Sequence, residues 1–431
     1  MAGPDPSTRG GSRLSAVFAV PEFRAMWSAE VLSVGGDQLA RVALAVVVFE
    51  RSHSAALTGL GYALTFVPSF LGGALLGGIG DRWARRTVMV VADLVRAVLI
   101  GVAAVPGTPL WLLLVLVAAT ALVNGPFKAA QQALLPAVVP DALYSPAMAV
   151  RSISSQTAQL VGFAVGGVLV SAAGGSVGLA ADAATFGCSA LVLVLGVRAR
   201  PAAQAPGVGV AAAVRAGTVL VWRDPVLRPL LGLCWLAGFY VVPEALAAPY
   251  AAALGGGALT VGAIMAADPV GSVLGGIVWG KWVAEPTQRR VIGLLGVAAG
   301  LPLVGCAVQP PLPVSMVLFA ASGAAATGYT ITATVSFVRR LPDERRAHGS
   351  GLLSSGLITV QGVGALAFGA LADVTGAGPA IAIAGGLGAA VAVPVAMAWA
   401  RARRLPPEAA TQVSGSGVAV GHVDLQSGSG G

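Results

Sequence analysis

The stretch that decides the fold runs from residue 57 to residue 106: LTGLGYALTFVPSFLGGALLGGIG (57–80), DRWARR (81–86) and TVMVVADLVRAVLIGVAAVP (87–106). Two apolar segments flank a six-residue turn that holds Asp81, Arg82, Arg85 and Arg86. At 1.5 Å per residue, a segment of about 20 residues covers roughly 30 Å, the thickness of a bilayer's hydrocarbon core. Lipid offers the backbone no hydrogen-bond partners, so such a segment crosses as a helix. A barrel strand would be about ten residues long with alternating polarity, and neither segment alternates. The stretch reads as two membrane helices joined by a charged turn.

The same pattern continues in both directions. The predicted spans are 26–49, 57–80, 87–106, 109–130, 149–173 and 176–197, then 229–252, 259–281, 290–308, 312–337, 351–373 and 379–400. The fold class is therefore an all-α membrane protein of twelve transmembrane helices in two six-helix, pseudo-symmetric halves, 26–197 and 229–400. Residues 1–25 read as a cytoplasmic N-terminal tail, 198–228 as a cytoplasmic central loop, and 401–431 as a disordered cytoplasmic tail ending SGSGG. Composition agrees: only 10% of the 431 residues are charged, against about 25% in a soluble domain.

Net charge is +8, but the basic residues do not form a nucleic-acid patch, and no nucleic-acid partner is expected. Of 26 basic residues, all but Arg41, Arg51 and Arg96 fall in the termini, the central loop and alternate connections. Under the positive-inside rule this places those connections and both termini in the cytoplasm of a cell whose inner membrane holds the chain. The remaining connections are short Gly/Pro turns such as PGTP (106–109) and TGAGP (375–379).

Cys188, Cys234 and Cys306 lie in apolar runs without CxxC spacing, and His53, His348 and His422 are scattered. No metal, disulfide or cofactor is expected from them. Gly275-x4-Gly280-Lys281-Trp282 approaches a nucleotide-binding loop, but it lacks the Ser/Thr that would hold magnesium and ends an apolar helix. No clustered nucleophile and base motif such as HExxH is visible, so an enzyme is not expected. An ion gradient is the remaining drive for work across the bilayer.

Carboxylates inside spans carry the functional reading, because an acid at the bilayer centre costs about 3 kcal/mol on insertion scales. Asp37 lies 11 residues into the first span, roughly 16 Å deep. Glu244 is central in the seventh span and Asp268 lies deep in the eighth. A desolvated, unpaired carboxylate favours its neutral form and can load and release a proton. Arg41, one turn after Asp37, and Arg96, three residues after Asp93, are placed for structural ion pairs. Tyr62, Phe66, Trp235 and Phe239, with Tyr240 and Tyr329 foremost, are the aromatic candidates for lining a substrate cavity.

Residues 77–88, GGIGDRWARRTV, and 275–292, GGIVWGKWVAEPTQRRVI, form a weak internal repeat at corresponding places in the two halves. The first, Gly77-x3-Asp81-Arg82-x-Ala84-Arg85-Arg86-x2-Met89, resembles the GxxxDRxGRRxxL signature of the major facilitator superfamily. Residues 36–55, 92–99 and 134–162 extend that resemblance to its drug- and siderophore-exporter branch. Gly162-Phe163-Ala164-Val165-Gly166-Gly167 departs from that branch's GPxxGG antiporter motif, because the proline is absent. The resemblance implies a monomeric secondary transporter that moves a small molecule, amphipathic ones included, outward by alternating access while protons move inward. Gly77, Asp81, Arg82, Arg85 and Arg86 would form its cytoplasmic gate. An importer or uniporter of the same fold, or a membrane sensor, is the alternative.

Overall fold

The computed structural model of the chain describes residues 15–76, 83–200, 218, 221–222, 224–341 and 346–404. Most of the central loop and the C-terminal tail beyond Arg404 lie outside the described residues. The first half comprises α1 (Pro21–Ser52), α2 (Ala55–Leu64 and Val67–Leu76), α3 (Arg85–Ala103), α4 (Leu110–Val138), α5 (Asp141–Ala173) and α6 (Gly175–Gly196). The second comprises α7 (Leu227–Trp235, Ala237–Tyr240, Val242–Ala245 and Ala247–Ala253), α8 (Ala258–Trp282), α9 (Glu285–Val304, with a 3-10 turn Gly305–Val308), α10 (Leu312–Arg340), α11 (Arg346–Thr375) and α12 (Ala377–Ala402).

Ten of these are long and apolar enough to cross a bilayer, and α7 makes an eleventh when its pieces, bent by 46°, are taken together. α3 carries Arg85, Arg86, Asp93 and Arg96 in 19 residues. The protein is a multi-pass membrane protein. Several helices outrun the predicted spans; α5 starts at Asp141, eight residues before the apolar run. Pro140 stops α4 and pre-sets the entry to α5, where Asp141 suits the positive end of the helix dipole. α1 likewise starts at Pro21, inside the expected N-terminal tail. Helical geometry persists past the hydrocarbon because polar side chains at these ends lose nothing by it.

One end of the bundle gathers six connections, each turning on a residue with positive φ: His53, Gly107, Gly174, Gly255, Gln309 and Gly376. They coincide with the six connections that the charge pattern leaves outside, five of them Gly/Pro turns and the first carrying Arg51. A chain reversing within a few residues needs the left-handed region, which glycine enters without cost. Arg51, the lone cation at this end among the described residues, donates 2.7 Å to the Thr108 carbonyl and ties two of the turns together. This end is called the turn end below, and the opposite one the basic end.

Packing repeats between the halves. α1 contacts α5 and α6, α3 contacts α4 and α6, and α2 contacts α4; α7 contacts α11 and α12, α9 contacts α10 and α12, and α8 contacts α10. Two further seams, α2 with α11 and α5 with α8, join the halves. Small residues make these approaches possible, as in membranes, where packing replaces the hydrophobic effect as the driving force. The run 162–167 illustrates it. A Cβ on Gly162 would meet the Gly35 carbonyl at 2.5 Å, and one on Gly167 would meet Gly262 Cα at 3.0 Å. These glycines seat α5 against α1 and α8. The near nucleotide-loop sequence, Gly275 to Lys281, is continuous helix within α8 and makes no phosphate-binding loop.

Candidate functional site

Two charged residues of α3, Asp93 and Arg96, are buried inside the first half. Asp93 and Arg96 are 0% and 1% exposed and form an ion pair one turn apart. Ser189 on α6 donates 2.6 Å to the second oxygen of Asp93. Arg96 also donates 3.3 Å to Asn124 on α4. Its guanidinium lies over the rings of Phe186 at 4.2 Å and Phe127 at 4.6 Å. With Ser33 of α1, 3.5 Å from Arg96, four helices converge on one charge pair and supply partners that lipid could not.

Beside this pair is a cavity of about 60 Å³, lined among others by Asp37 and Arg41 of α1, Arg96, Asn124, and Asp182 of α6. That is room for several water molecules. Asp182 is 1% exposed, and its carboxylate presses against α1 where Gly36 has no side chain; a Cβ there would lie 2.5 Å from Oδ1. Thr185 is its hydrogen-bond donor, at 3.3 Å. Sequence reasoning passed over Asp182, although an acid in the apolar run AADAATF (180–186) carries the same signal that singled out Asp37.

The ion pair expected between Asp37 and Arg41 is not among those of the described residues. Arg41 turns toward α2 instead, with its guanidinium 4.4 Å from the Phe66 ring centre and 5.9 Å from that of Tyr62. One helical turn of spacing permits a pair but does not compel it, and cation–π contact with two rings competes for the guanidinium.

At the same depth the halves meet. Tyr62 of α2 donates 2.5 Å to Oε2 of Glu244 in α7. Arg41 lies within electrostatic range of Glu244, and so does Asp268 of α8. Asp268 nests against Gly323 of α10, where a Cβ would come 2.6 Å from its Oδ1. α7 is broken here into short helices, with Pro243 in the first turn of Val242–Ala245. Proline interrupts the backbone ladder and sets Glu244 on a helix break facing the other half. A space of about 10 Å³, lined by Arg41, Thr58 and Tyr62, holds at most one water. Arg41 borders both spaces and so links the acid cluster of the first half to the acids at the interface.

Tyr240 and Tyr329 do not line either space. Tyr240 is 6% exposed and donates 2.5 Å to the Gly296 carbonyl of α9. Tyr329 is fully buried, and its ring stands 6.4 Å from that of Tyr240 in an edge contact. The two rings are packing within the second half, and the cavity role expected for them is withdrawn. Phe239 likewise meets Phe368 of α11.

Gly77, Asp81 and Arg82 lie outside the described residues. Arg85 donates 2.7 Å to the Ala133 carbonyl of α4, and Arg86 donates 2.5 Å to that of Val194 on α6. Both fasten the start of α3 to neighbouring helix ends. In the corresponding place of the second half, Glu285 pairs with Arg289 at 2.9 Å and with Arg339 of α10 at 3.1 Å.

The family model of the Major Facilitator Superfamily matches residues 26–246 and 230–425. The multidrug efflux pump Tap of Mycobacterium tuberculosis is 27% identical over 314 residues, covering 68% of this chain and 74% of the pump. The enterobactin exporter EntS of Shigella boydii is 26% identical over 373 residues, covering 83% of this chain and 87% of the exporter. Among solved structures, the nucleoside transporter NupG superposes with a TM-score of 0.68 at 14% identity, covering 89% of this chain and all of that one. A bacterial homologue of the human lysosomal transporter Spinster, inward-facing and unoccupied, gives 0.63 at 16%, covering 89% and 95%.

Proposed function

Because this chain belongs to the Major Facilitator Superfamily, we propose that it exports a small, amphipathic molecule by alternating access, driven by protons moving inward. It is a membrane transporter rather than an enzyme, and the Tap and EntS likenesses support efflux. Glu244 and Asp37 are the proton carriers in this reading, with Asp268 as the neighbour that takes up or repels the charge. Gly77, Asp81, Arg82, Arg85 and Arg86 form the gate at the basic end, on the cytoplasmic side of the inner membrane.

One observation carries the proposal: the Tyr62–Glu244 hydrogen bond spans the two halves. A charged Glu244 accepts that bond more strongly than a neutral one. Protonation removes the charge-assisted part of the bond, which is roughly half of its strength. Loading a proton therefore loosens the halves at the depth where they must part. The drive is adequate: one charge crossing 100 mV supplies roughly 2.3 kcal/mol, enough for roughly a 40-fold gradient at 1.4 kcal/mol per tenfold.

The test uses everted membrane vesicles with an acidified interior, and enterobactin and a panel of amphipathic drugs as cargo. Accumulation inside, collapsed by a protonophore, is the expected result. Cargo that enters only right-side-out vesicles would make the protein an importer. Equilibration that ignores the proton gradient would make it a uniporter.

The orientation has its own test. In a background lacking the native cysteines, Val308→Cys at the turn end should react with an impermeant maleimide on intact cells. Arg198→Cys should react only after permeabilisation. Both sites are well exposed, at 82% and 87%, so the reverse pattern inverts the topology.

A further inference from the structure

We propose that Asp373, on α11, is a latch that holds the turn end of the transporter shut by capping α2 of the opposite half. The inference rests on the alternating-access reading above but not on proton coupling. Asp373 lies near the C-terminal end of α11, and its carboxylate reaches across the seam to the first turn of α2. Oδ1 accepts from the Ala55 backbone N–H at 2.5 Å, and Oδ2 accepts from Ser54 Oγ at 2.8 Å and the Ala56 N–H at 3.3 Å. Ser54 in turn accepts from the Leu57 N–H at 3.2 Å. The free donors that begin any helix are here met by one side chain from the same half and one from the other.

The stripe below Asp373 makes this reach possible. Asp373, Gly369 and Ala365 recur every four residues on α11 and face Ala55, Ala56 and Gly59 of α2. A Cβ on Gly369 would come 2.9 Å from the Ala55 carbonyl, and one on Gly59 would run into the carbonyl of Ala365. Backbones this close put a carboxylate at the end of α11 directly on the start of α2, where the helix dipole adds to the hydrogen bonds. When the halves part at this end, the Ala55 and Ala56 N–H groups lose their acceptor together.

Among the described residues the capping is one-sided. Exchanging the halves maps the α2–α11 seam onto the α8–α5 seam, where Gly262 meets Gly167 with the same closeness. There the residue that precedes α8, Gly257, supplies no side-chain cap. The helix starts of α4, α6, α10 and α12, also at the turn end, carry none either. One carboxylate therefore biases the closure of an otherwise near-symmetric pair of seams.

The latch is testable by distance without cargo or gradient. Spin labels at Val105→Cys and Val308→Cys, in a background lacking the native cysteines, report on the two halves at the turn end; these positions are 55% and 82% exposed. In the reconstituted protein the short distance should dominate. Asp373→Ala should raise the open-to-closed ratio about fivefold, equivalent to about 1 kcal/mol at 1.4 kcal/mol per tenfold. Asp373→Asn should fall between, and Ser54→Ala should shift the ratio about twofold in the same direction. The melting temperature should stay near wild type, which a merely structural residue would not allow. Unchanged distances in Asp373→Ala, or in Ser54→Ala should the first variant fail to fold, overturn the latch. A protein that fails the vesicle assay can still show it, so the two ideas fail separately.

Discussion

Arg96→Met is expected to cost about 3–5 kcal/mol of stability, the usual penalty for removing one partner of a buried ion pair. Asp93 keeps its bond from Ser189, but its charge is left without compensation among lipid-embedded helices. The faces of Phe127 and Phe186 also lose their cation, worth about 0.5–2 kcal/mol each. Asp93→Leu combined with Arg96→Met should recover most of the loss, because an apolar pair of similar volume avoids the desolvation penalty altogether. Thermal unfolding of the detergent-solubilised protein, followed by loss of the monodisperse peak, separates the cases. Equal stability of single and double variants would show that the pair does no structural work. A stable double variant that no longer transports would instead join the pair to the proton route through the adjoining cavity.

The Asp93–Arg96 pair was legible because it is local: spacing along one helix puts both groups on one face. So were the helical rods, since an apolar run of bilayer length needs no partner to be recognised. Five of the six turns announced themselves through Gly, Pro and the absence of charge; the first, with Arg51 and His53, did not. What spacing could not supply were meetings between residues far apart in the chain. Tyr62 and Glu244 are 182 positions apart, and nothing local to either names the other. Spacing on α1 pairs Arg41 with Asp37, whereas its guanidinium lies over the Phe66 ring of α2. Asp182 was readable and overlooked; its neighbours are apolar enough to have raised the same question as Asp37. The breaks of α7 were half legible, because Pro243 and Pro249 are visible, but a proline says only that a helix is interrupted and not which side chain the interruption presents. Tyr240 and Tyr329 were credited with a cavity because a tyrosine in a span needs a reason. For Tyr240 the reason proved to be a backbone carbonyl on the next helix.

The largest functional effects are expected from Glu244→Gln and Asp37→Asn. Each substitution fixes a carboxylate in its neutral form with almost no change in size. The amide that Glu244→Gln introduces can still accept from Tyr62, so the contact between the halves survives while its dependence on protonation disappears. Asp37 lines the cavity beside Arg41 and Asp182, and Asp37→Asn leaves that space occupied by a group unable to exchange a proton. At least one variant should lose gradient-driven accumulation by more than tenfold, with downhill exchange of the same cargo retained. Tyr62→Phe serves as the complement. It leaves Glu244 titratable but removes the bond that ties its charge to closure, so proton flux should continue while becoming less tightly linked to cargo. The measurement is paired cargo and proton flux in proteoliposomes, with cargo counterflow as the check on binding. If Glu244→Gln and Asp37→Asn both pump uphill at the wild-type rate, neither acid carries the coupling proton. Asp268, held against Gly323 within range of Glu244, then becomes the carrier to substitute next, and its loss should abolish accumulation where theirs did not.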